Sequence, residues 1–315
     1  MLLKNYYNKV KIKIKDFILS FFYSPIGRII PDEQYIKIIY FLRTRKKINL
    51  NNPRNFNEKL QWLKLNERNE KYTKMVDKYE AKKYVSEQIG EKYIIPTLGV
   101  WSTFDDINFN NLPKQFVLKC THDSGGLVIC QDKDKLDKNK ARKKINKCLK
   151  RNFYYVGREW VYKDVKPRII AESYMSDNKN DDVMGLTDYK FFCFNGKVKF
   201  LYISKNLTNH KNARISFVTP EWKKAPFIRK DYLPYEHLPK KPKKFKQMIE
   251  IAEKLSKNID FLRVDLYEIN SEIYFSELTF FPCNGLFPFY PEIWNEKIGD
   301  MLVLNNFNRN LKDEK

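Results

Sequence analysis

The sequence contains no run of about 18 apolar residues, so no membrane-spanning helix is expected. No signal peptide is expected either, because the apolar stretch Phe17–Tyr23 is short and lacks a small-residue cleavage pattern. No two cysteines form C-x-x-C. Cys120, Cys130, Cys148, Cys193 and Cys283 are isolated and odd in number, which argues against a disulfide framework and suits buried thiols in a reducing cytoplasm. Three scattered histidines exclude an obvious zinc site. Ser/His/Asp and Cys/His arrangements, internal repeats and low-complexity blocks are all lacking.

What is present is a chain of 315 residues, 43% of them hydrophobic, enough for two domains or one elaborate one. The formal net charge is +22. Such a balance suits nucleic acid, a membrane surface or an anionic substrate. The lysines are dispersed, and no nucleic-acid motif accompanies them, so no nucleic-acid partner is expected. Enrichment in Lys, Asn, Ile, Phe and Tyr is also what an AT-biased genome produces.

Residues 1–30 alternate lysine with apolar residues before and around Phe17–Tyr23. This reads either as a terminal helix packed on its own domain or as a basic amphipathic helix lying on an anionic membrane. Helices are expected at Pro31–Arg45, at Phe56–Asn66 with Trp62 on its apolar side, and as one continuous segment over Lys71–Gly90 capped by Gly90. A boundary falls near residues 90–100. Gln115–Cys120 and Leu127–Cys130 read as paired strands. The loop between them ends in Gly125 and Gly126, whose amides could approach anionic oxygens, and Lys119 points the same way. A plain Gly-Gly hairpin is the other reading. Lys133–Arg151 is a polar helix, and Arg168–Met175 a strand carrying Glu172. Asn195-Gly196 between apolar runs is the strongest hairpin signal, with Asp188 and Lys190 on one face of its first strand. A strand at Arg214–Val218 lies within an irregular stretch, 205–240, long enough to bind substrate or act as a lid. An amphipathic helix over Pro242–Lys257 presents Phe245, Met248, Ile249, Ala252 and Leu255 on one stripe.

The stretch Phe261–Thr279 is the focus of the chain. It reads as two strands reversing at Asn270-Ser271, with Arg263, Asp265 and Glu277 in an apolar setting. Buried carboxylates need a cation or hydrogen bonds. A three-residue loop, 270–272, sets Asp265 directly opposite Glu277 and puts Arg263, Asp265, Glu277 and Thr279 on one face. A two-residue loop pairs Asp265 with Ser276 instead and separates the carboxylates. On the first register the oxygens suit a Mg²⁺-nucleotide site; an edge hairpin with solvated charges is the alternative.

The order of these parts resembles an ATP-grasp enzyme. The strings Phe116–Gly126, Asp188–Phe191, Arg263–Tyr267 and Phe275–Phe280 resemble the TupA-like ATP-grasp family, over roughly residues 50–302. That family takes its name from teichuronopeptide synthesis in bacterial cell walls. The resemblance implies an α+β ATP-grasp fold, two α+β lobes clasping a nucleotide, after a mainly helical N-terminal segment. The expected division is 1–92 helical region, 93–176 central lobe and 177–315 C-terminal lobe with the metal site. It implies ATP and Mg²⁺ as cofactors. Lys78 and Lys119 would contact ATP phosphates under a loop holding Gly125 and Gly126. Glu172 and the backbone through Met175 would hold adenine. Asp188 would lie near the ribose or phosphates, Lys190 near the transferred phosphoryl group, and Asp265 and Glu277 on Mg²⁺. Many ATP-grasp enzymes place Asn two residues after the second metal carboxylate. Here that position is Thr279, and Asn284 is the other candidate. The usual Rossmann-like leading domain has no counterpart in the helical first 90 residues.

These readings converge on an ATP- and Mg²⁺-dependent carboxylate–amine ligase of surface-polysaccharide modification, working through an acyl phosphate. Arg263 would steady the acyl-phosphate oxygens. The substrate would be a small molecule or glycan bearing a carboxylate. The location would be cytoplasmic, with peripheral membrane contact through the basic N-terminus as an option. The alternatives are a nucleotide-sugar glycosyltransferase, for which Asp132-Lys-Asp134 would be the metal motif, and a non-catalytic membrane scaffold. Asp132 also sits where a helix cap is expected.

Overall fold

The computed structural model describes residue 24 and residues 26–177, 186–205 and 213–307. Phe17–Tyr23, the far end of the polar loop that begins at Asp177, and residues 206–212 of the irregular stretch lie outside the described residues. Helices α1 (Asp32–Thr44), α2 (Phe56–Asn66), α3 (Glu70–Val76) and α4 (Glu80–Ile89) come first. Strands β1 (Thr97–Trp101), β2 (Phe116–Cys120) and β3 (Leu127–Cys130) follow, then α5 (Lys138–Leu149), the short α6 (Tyr154–Gly157) and β4 (Ile169–Ser173). The remainder is β5 (Asp188–Phe194), β6 (Lys197–Lys205), β7 (Arg214–Val218), β8 (Ile228–Arg229), α7 (Phe245–Leu255), β9 (Phe261–Ile269), β10 (Glu272–Thr279), β11 (Phe289–Tyr290) and α8 (Ile293–Asp300).

Two antiparallel sheets organise the molecule. The smaller has the order β1-β4-β2-β3. Alternation sends Phe116, Leu118, Cys120, Ile169 and Ala171 to one face, where they pack on Ala141, Ile145 and Cys148 of α5. The other face carries Lys119 and Glu172. The larger sheet has the order β10-β9-β5-β6-β7. Its back meets α7, where Phe191 lies 6.1 Å from the Phe245 ring and the Cys193 thiol reaches the Ala252 carbonyl. On α7 the buried stripe is Phe245, Met248, Ile251, Ala252 and Leu255; Ile251 takes the deep position expected for Ile249.

The front of the large sheet is divided. One part is aromatic: Phe192 stacks on Phe200 at 4.7 Å, and Phe56 from α2 meets Phe261 edge-on at 5.0 Å. Phe56 is fully buried, and truncating such a ring costs about 3–5 kcal/mol. The other part is charged and is the site described below. Because α2 to α4 share this apolar cluster with the sheet, they are built into the same core.

Three local features correct the sequence reading. The segment Lys71–Gly90 is two helices, broken at Asp77. The Asp77 carboxylate accepts from the amides of Tyr79 (2.8 Å) and Glu80 (3.3 Å), capping α4 and competing with helix continuation. The reversal in the β9–β10 hairpin is a two-residue loop, Asn270-Ser271, both at positive φ, and Glu272 pairs with Ile269. That loop alone would separate the carboxylates. A β-bulge between Phe275 and Glu277 absorbs one residue and restores Glu277 opposite Asp265. Finally, β1 was not foreseen. It pairs with β4 as an edge strand, and its residues are exposed or half-buried, so its apolar signal is weak.

Helix α2 is held by more than its apolar face. Asn55 and Glu58 form a reciprocal capping box. Asn57, Gln61 and Lys64, spaced along one side, are all buried. The Asn57 amide exchanges two hydrogen bonds with the backbone of Phe287. Gln61 donates to the carbonyls of Asn284 and Gly285, and Lys64 to those of Asn284 and Gly157.

Candidate active site

The charged part of the large sheet is one continuous network. Lys190 on β5 pairs across with Asp265 on β9, and the register puts both on the front. The Lys190 ammonium donates to Asp265 Oδ2 at 2.5 Å and lies 3.5 Å from Asp188 Oδ1. Arg263 forks onto Asp265 through Nε and Nη2, both at 2.7 Å. The same Nη2 donates to Glu277 Oε1 at 2.9 Å and to Thr279 Oγ1 at 3.0 Å. Three carboxylates and two cations thus alternate over one patch. Asp265 is fully buried, while the Glu277 side chain is 38% exposed. Asp188 Oδ1 is buried without a hydrogen-bond partner.

The electrostatics follow from this packing. Burial works against the Lys190 charge, but Asp188 and Asp265 outweigh it and hold the ammonium well above its ordinary value. Burial would likewise raise Glu277, yet Lys190, Arg263 and Lys78 pull it down to about 2. Burial pushes Asp265 upward, and Arg263 and Lys190 oppose it. The patch keeps its cations charged and ready for an anionic ligand.

The small sheet offers a second group. Glu172 on β4 is clasped by Lys119 from β2 and by Lys82 from α4, the latter at 2.6 Å. Burial raises the Glu172 carboxyl, but these two lysines overcome it and leave the net shift downward. Lys82 also donates to the Ile95 carbonyl at 2.6 Å. Lys78, released by the helix break at Asp77, connects the groups. Its amide donates to the Thr121 carbonyl (3.1 Å) and its ammonium to the Asp123 carbonyl (2.6 Å), while its charge reaches Glu277. Gly126 lies against Cys120: a Cβ there would meet the Cys120 sulfur at 2.5 Å, so glycine is demanded by packing beneath the loop. Gly125 is exposed. Met175 is half-buried two residues beyond β4.

The structure therefore gathers Asp188, Lys190, Arg263, Asp265, Glu277 and Thr279 in one cluster, and Lys119 with Glu172 in another. Asn284 stands apart: its carbonyl is held by Gln61 and Lys64, and its side chain packs on Gly157. Sequence reasoning missed Lys82, whose partner Glu172 is 90 positions away. It also missed the pairs Asp77–Arg168 (2.8 Å) and Asp123–Arg151, which brace the helix break and the glycine loop. Asp132 caps a short turn by accepting from the Asp134 amide, as the alternative reading of that triplet had it.

No cluster of three or more His, Cys, Asp or Glu side chains arranged for a metal occurs among the described residues. Asp265, Glu277 and Thr279 nevertheless aim hard oxygen atoms at one point, where the Arg263 guanidinium already satisfies a demand for positive charge. With Glu277 open to the surface, this donor set fits Mg²⁺, which takes one or two carboxylates and completes its shell with phosphate oxygens and water.

Two sheets, the smaller offering Lys119 and the larger Lys190, with acid–base pairs on the hairpin of the larger, are those of an ATP-grasp enzyme of the α+β class. The chain belongs to the TupA-like ATP-grasp family, which matches residues 58–303. Among solved structures it is similar to D-alanine–D-alanine ligase from Helicobacter pylori (17% identity, TM-score 0.37, 73% of this chain and 63% of that one). It is also similar to the Bacillus anthracis D-alanine–D-alanine ligase complexed with ATP (15%, 0.39, 76% and 67%). A third is phosphoribosylamine–glycine ligase from Thermotoga maritima (13%, 0.37, 81% and 56%). The chain thus spans less than two thirds of the first and third of these. No curated protein matches the sequence. Among the described residues, no helix is long and apolar enough to cross a membrane.

Proposed function

We propose that the protein is an ATP- and Mg²⁺-dependent carboxylate–amine ligase that modifies a surface polysaccharide, with a uronic-acid-containing glycan or an amino acid as substrate. The observation that carries this reading is the alternating patch of Asp188, Lys190, Asp265, Arg263, Glu277 and Thr279, within electrostatic reach of Lys78. A substrate carboxylate oxygen bonds to the γ-phosphorus as the bond to the bridging oxygen of ADP breaks. An amine then attacks the acyl carbon, phosphate departs, and the amine proton passes to solvent or phosphate. No protein nucleophile is needed, and charge neutralisation and positioning supply the catalysis.

Lys78 would exchange the Asp123 carbonyl for an ATP phosphate, and Lys119 would contact the phosphates while still held by Glu172, which also orients Lys82; the chain through Met175 would border the adenine. Lys190 and Arg263 would neutralise charge on the transferred phosphoryl group. Asp265, Glu277 and Thr279 would hold Mg²⁺, which when bound shields the phosphate oxygens. The charge of +22 supports an acidic glycan and, through the lysine-rich N-terminus, contact with an anionic membrane from the cytoplasmic side. Calorimetry with Mg²⁺ tests the nucleotide: ATP binding with no response to UDP-sugars is expected, and selective UDP-sugar binding overturns the reading.

A further inference from the structure

A cavity lies away from the Lys119–Glu172 pair. It has a volume of about 900 Å³ and sits between α1 and α2 on one side and residues 283–296 with β8 on the other. Its size is that of a small-molecule site. Five basic side chains line it against three acidic ones. Its inner wall includes Cys283 and Asn284, which with Gly285 form a turn of three successive residues in the left-handed region at φ of 54°, 56° and 66°. Two of them are not glycine, a strained arrangement that persists because Gln61 and Lys64 grip the turn's carbonyls.

Arg229 stands in this wall. Pairing of β8 with β11 fixes its backbone, and its guanidinium lies 4.9 Å from the ring centroids of both Tyr232 and Phe287. Its side chain is only 11% exposed, yet its partner Asp231 is 46% exposed. A rigid, nearly buried guanidinium whose counter-ion can swing into solvent is built to exchange that ion for another carboxylate. None of the charged-patch residues lines the cavity, but its wall neighbours that patch. Cys283, a residue of the wall, feels the charge of both Arg229 and Arg263. The Tyr202 ring links the two sides, 6.0 Å from the Arg263 guanidinium and 6.4 Å from the Phe287 ring on which Arg229 lies.

We infer that this cavity is the binding site for the carboxylate-bearing substrate, anchored by Arg229 and led past Cys283 toward Arg263. The inference rests on the ligase reading for what happens at Arg263, but the binding site itself does not. It also gives α1 and α2 the role that a leading domain would otherwise fill.

Calorimetry with D-glucuronate, D-galacturonate and L-glutamate as probes tests it. Wild-type protein is expected to bind at least one of them. Arg229→Gln should weaken that binding about tenfold or more. Leu286→Trp and, from the opposite wall, Thr44→Trp should abolish it by filling the cavity. An unchanged thermal midpoint identifies which variants are folded. Absence of probe binding by the wild type, or equal binding by all three variants, overturns the inference. Failure of the wild type to bind Mg-ATP would instead remove the ligase reading and leave probe binding intact.

Discussion

Asp265 and Glu277 face each other across the β9–β10 hairpin because Ser276 is taken up in a bulge. A two-residue reversal and an extra strand residue each shift the pairing by one, and together they cancel. Deleting Ser276 should therefore leave Glu277 opposite Asp265 on a straighter strand. Mg-ATP affinity in this deletion variant is expected to stay within about tenfold of wild type, because bulges re-aim side chains more than they set their partners. Complete loss of binding, with the fold intact by circular dichroism, would show that the bend itself is required.

Arg263→Met should be strongly destabilising. It removes the cation that bonds Asp265, Glu277 and Thr279 and leaves Asp265, fully buried, with Lys190 alone. Loss of one partner from a buried ion pair costs about 3–5 kcal/mol. Urea unfolding measures this, and a change below about 1 kcal/mol would mean that water reaches the patch more freely than the burial indicates.

Glu277→Gln should end Mg²⁺-dependent ATP turnover while the protein still folds, because the side chain is partly exposed. The pH dependence has a definite sign. The folded-state carboxyl is held down at about 2, below its ordinary value of 4.5. Its contribution to stability is therefore present above pH 4.5 and lost as pH falls toward 2. The stability difference between wild type and Glu277→Gln should shrink over that window in acid-unfolding curves. A difference that stays constant across it would contradict the depressed value.

Asp77→Asn and Asp77→Ala should separate two roles. Asn keeps an oxygen to cap α4 but loses the charge opposite Arg168; Ala loses both. Removing a cap costs about 0.5–2 kcal/mol. Both variants should weaken ATP binding by loosening Lys78, with Ala the more destabilised in thermal melts. Equal midpoints would show that the cap contributes little.

Much of this architecture could be read from residue patterns. The Asn195-Gly196 reversal, with φ of 48° and 78°, follows from chemistry that only such residues tolerate. The strand Arg214–Val218 and the strands flanking the glycine loop follow from short runs rich in apolar and β-branched residues. The charged face was legible because Asp265 and Lys190 stand in apolar runs where solvated charges are out of place. The helix break was hidden because the 3.6-residue period continues on both sides of Asp77. Its cap is a local Asp contact that helical spacing does not reveal, and its partner Arg168, 91 positions away, is a tertiary fact. Lys82 was hidden for the same reason, since a lysine on an amphipathic helix looks solvated until Glu172 is placed beside it. The bulge at Ser276 carries no signal of its own.

Three buried side chains of α2 grip main-chain carbonyl and amide groups of the cavity wall: Asn57 on Phe287, Gln61 on Asn284 and Gly285, and Lys64 on Asn284 and Gly157. Main-chain atoms are the same whatever residue bears them. The side chains that this wall turns toward the cavity are thus free to change over evolutionary time without slackening the frame. With the cavity as the proposed carboxylate site, substitutions on that lining would change which acid it admits while the frame beneath stays the same.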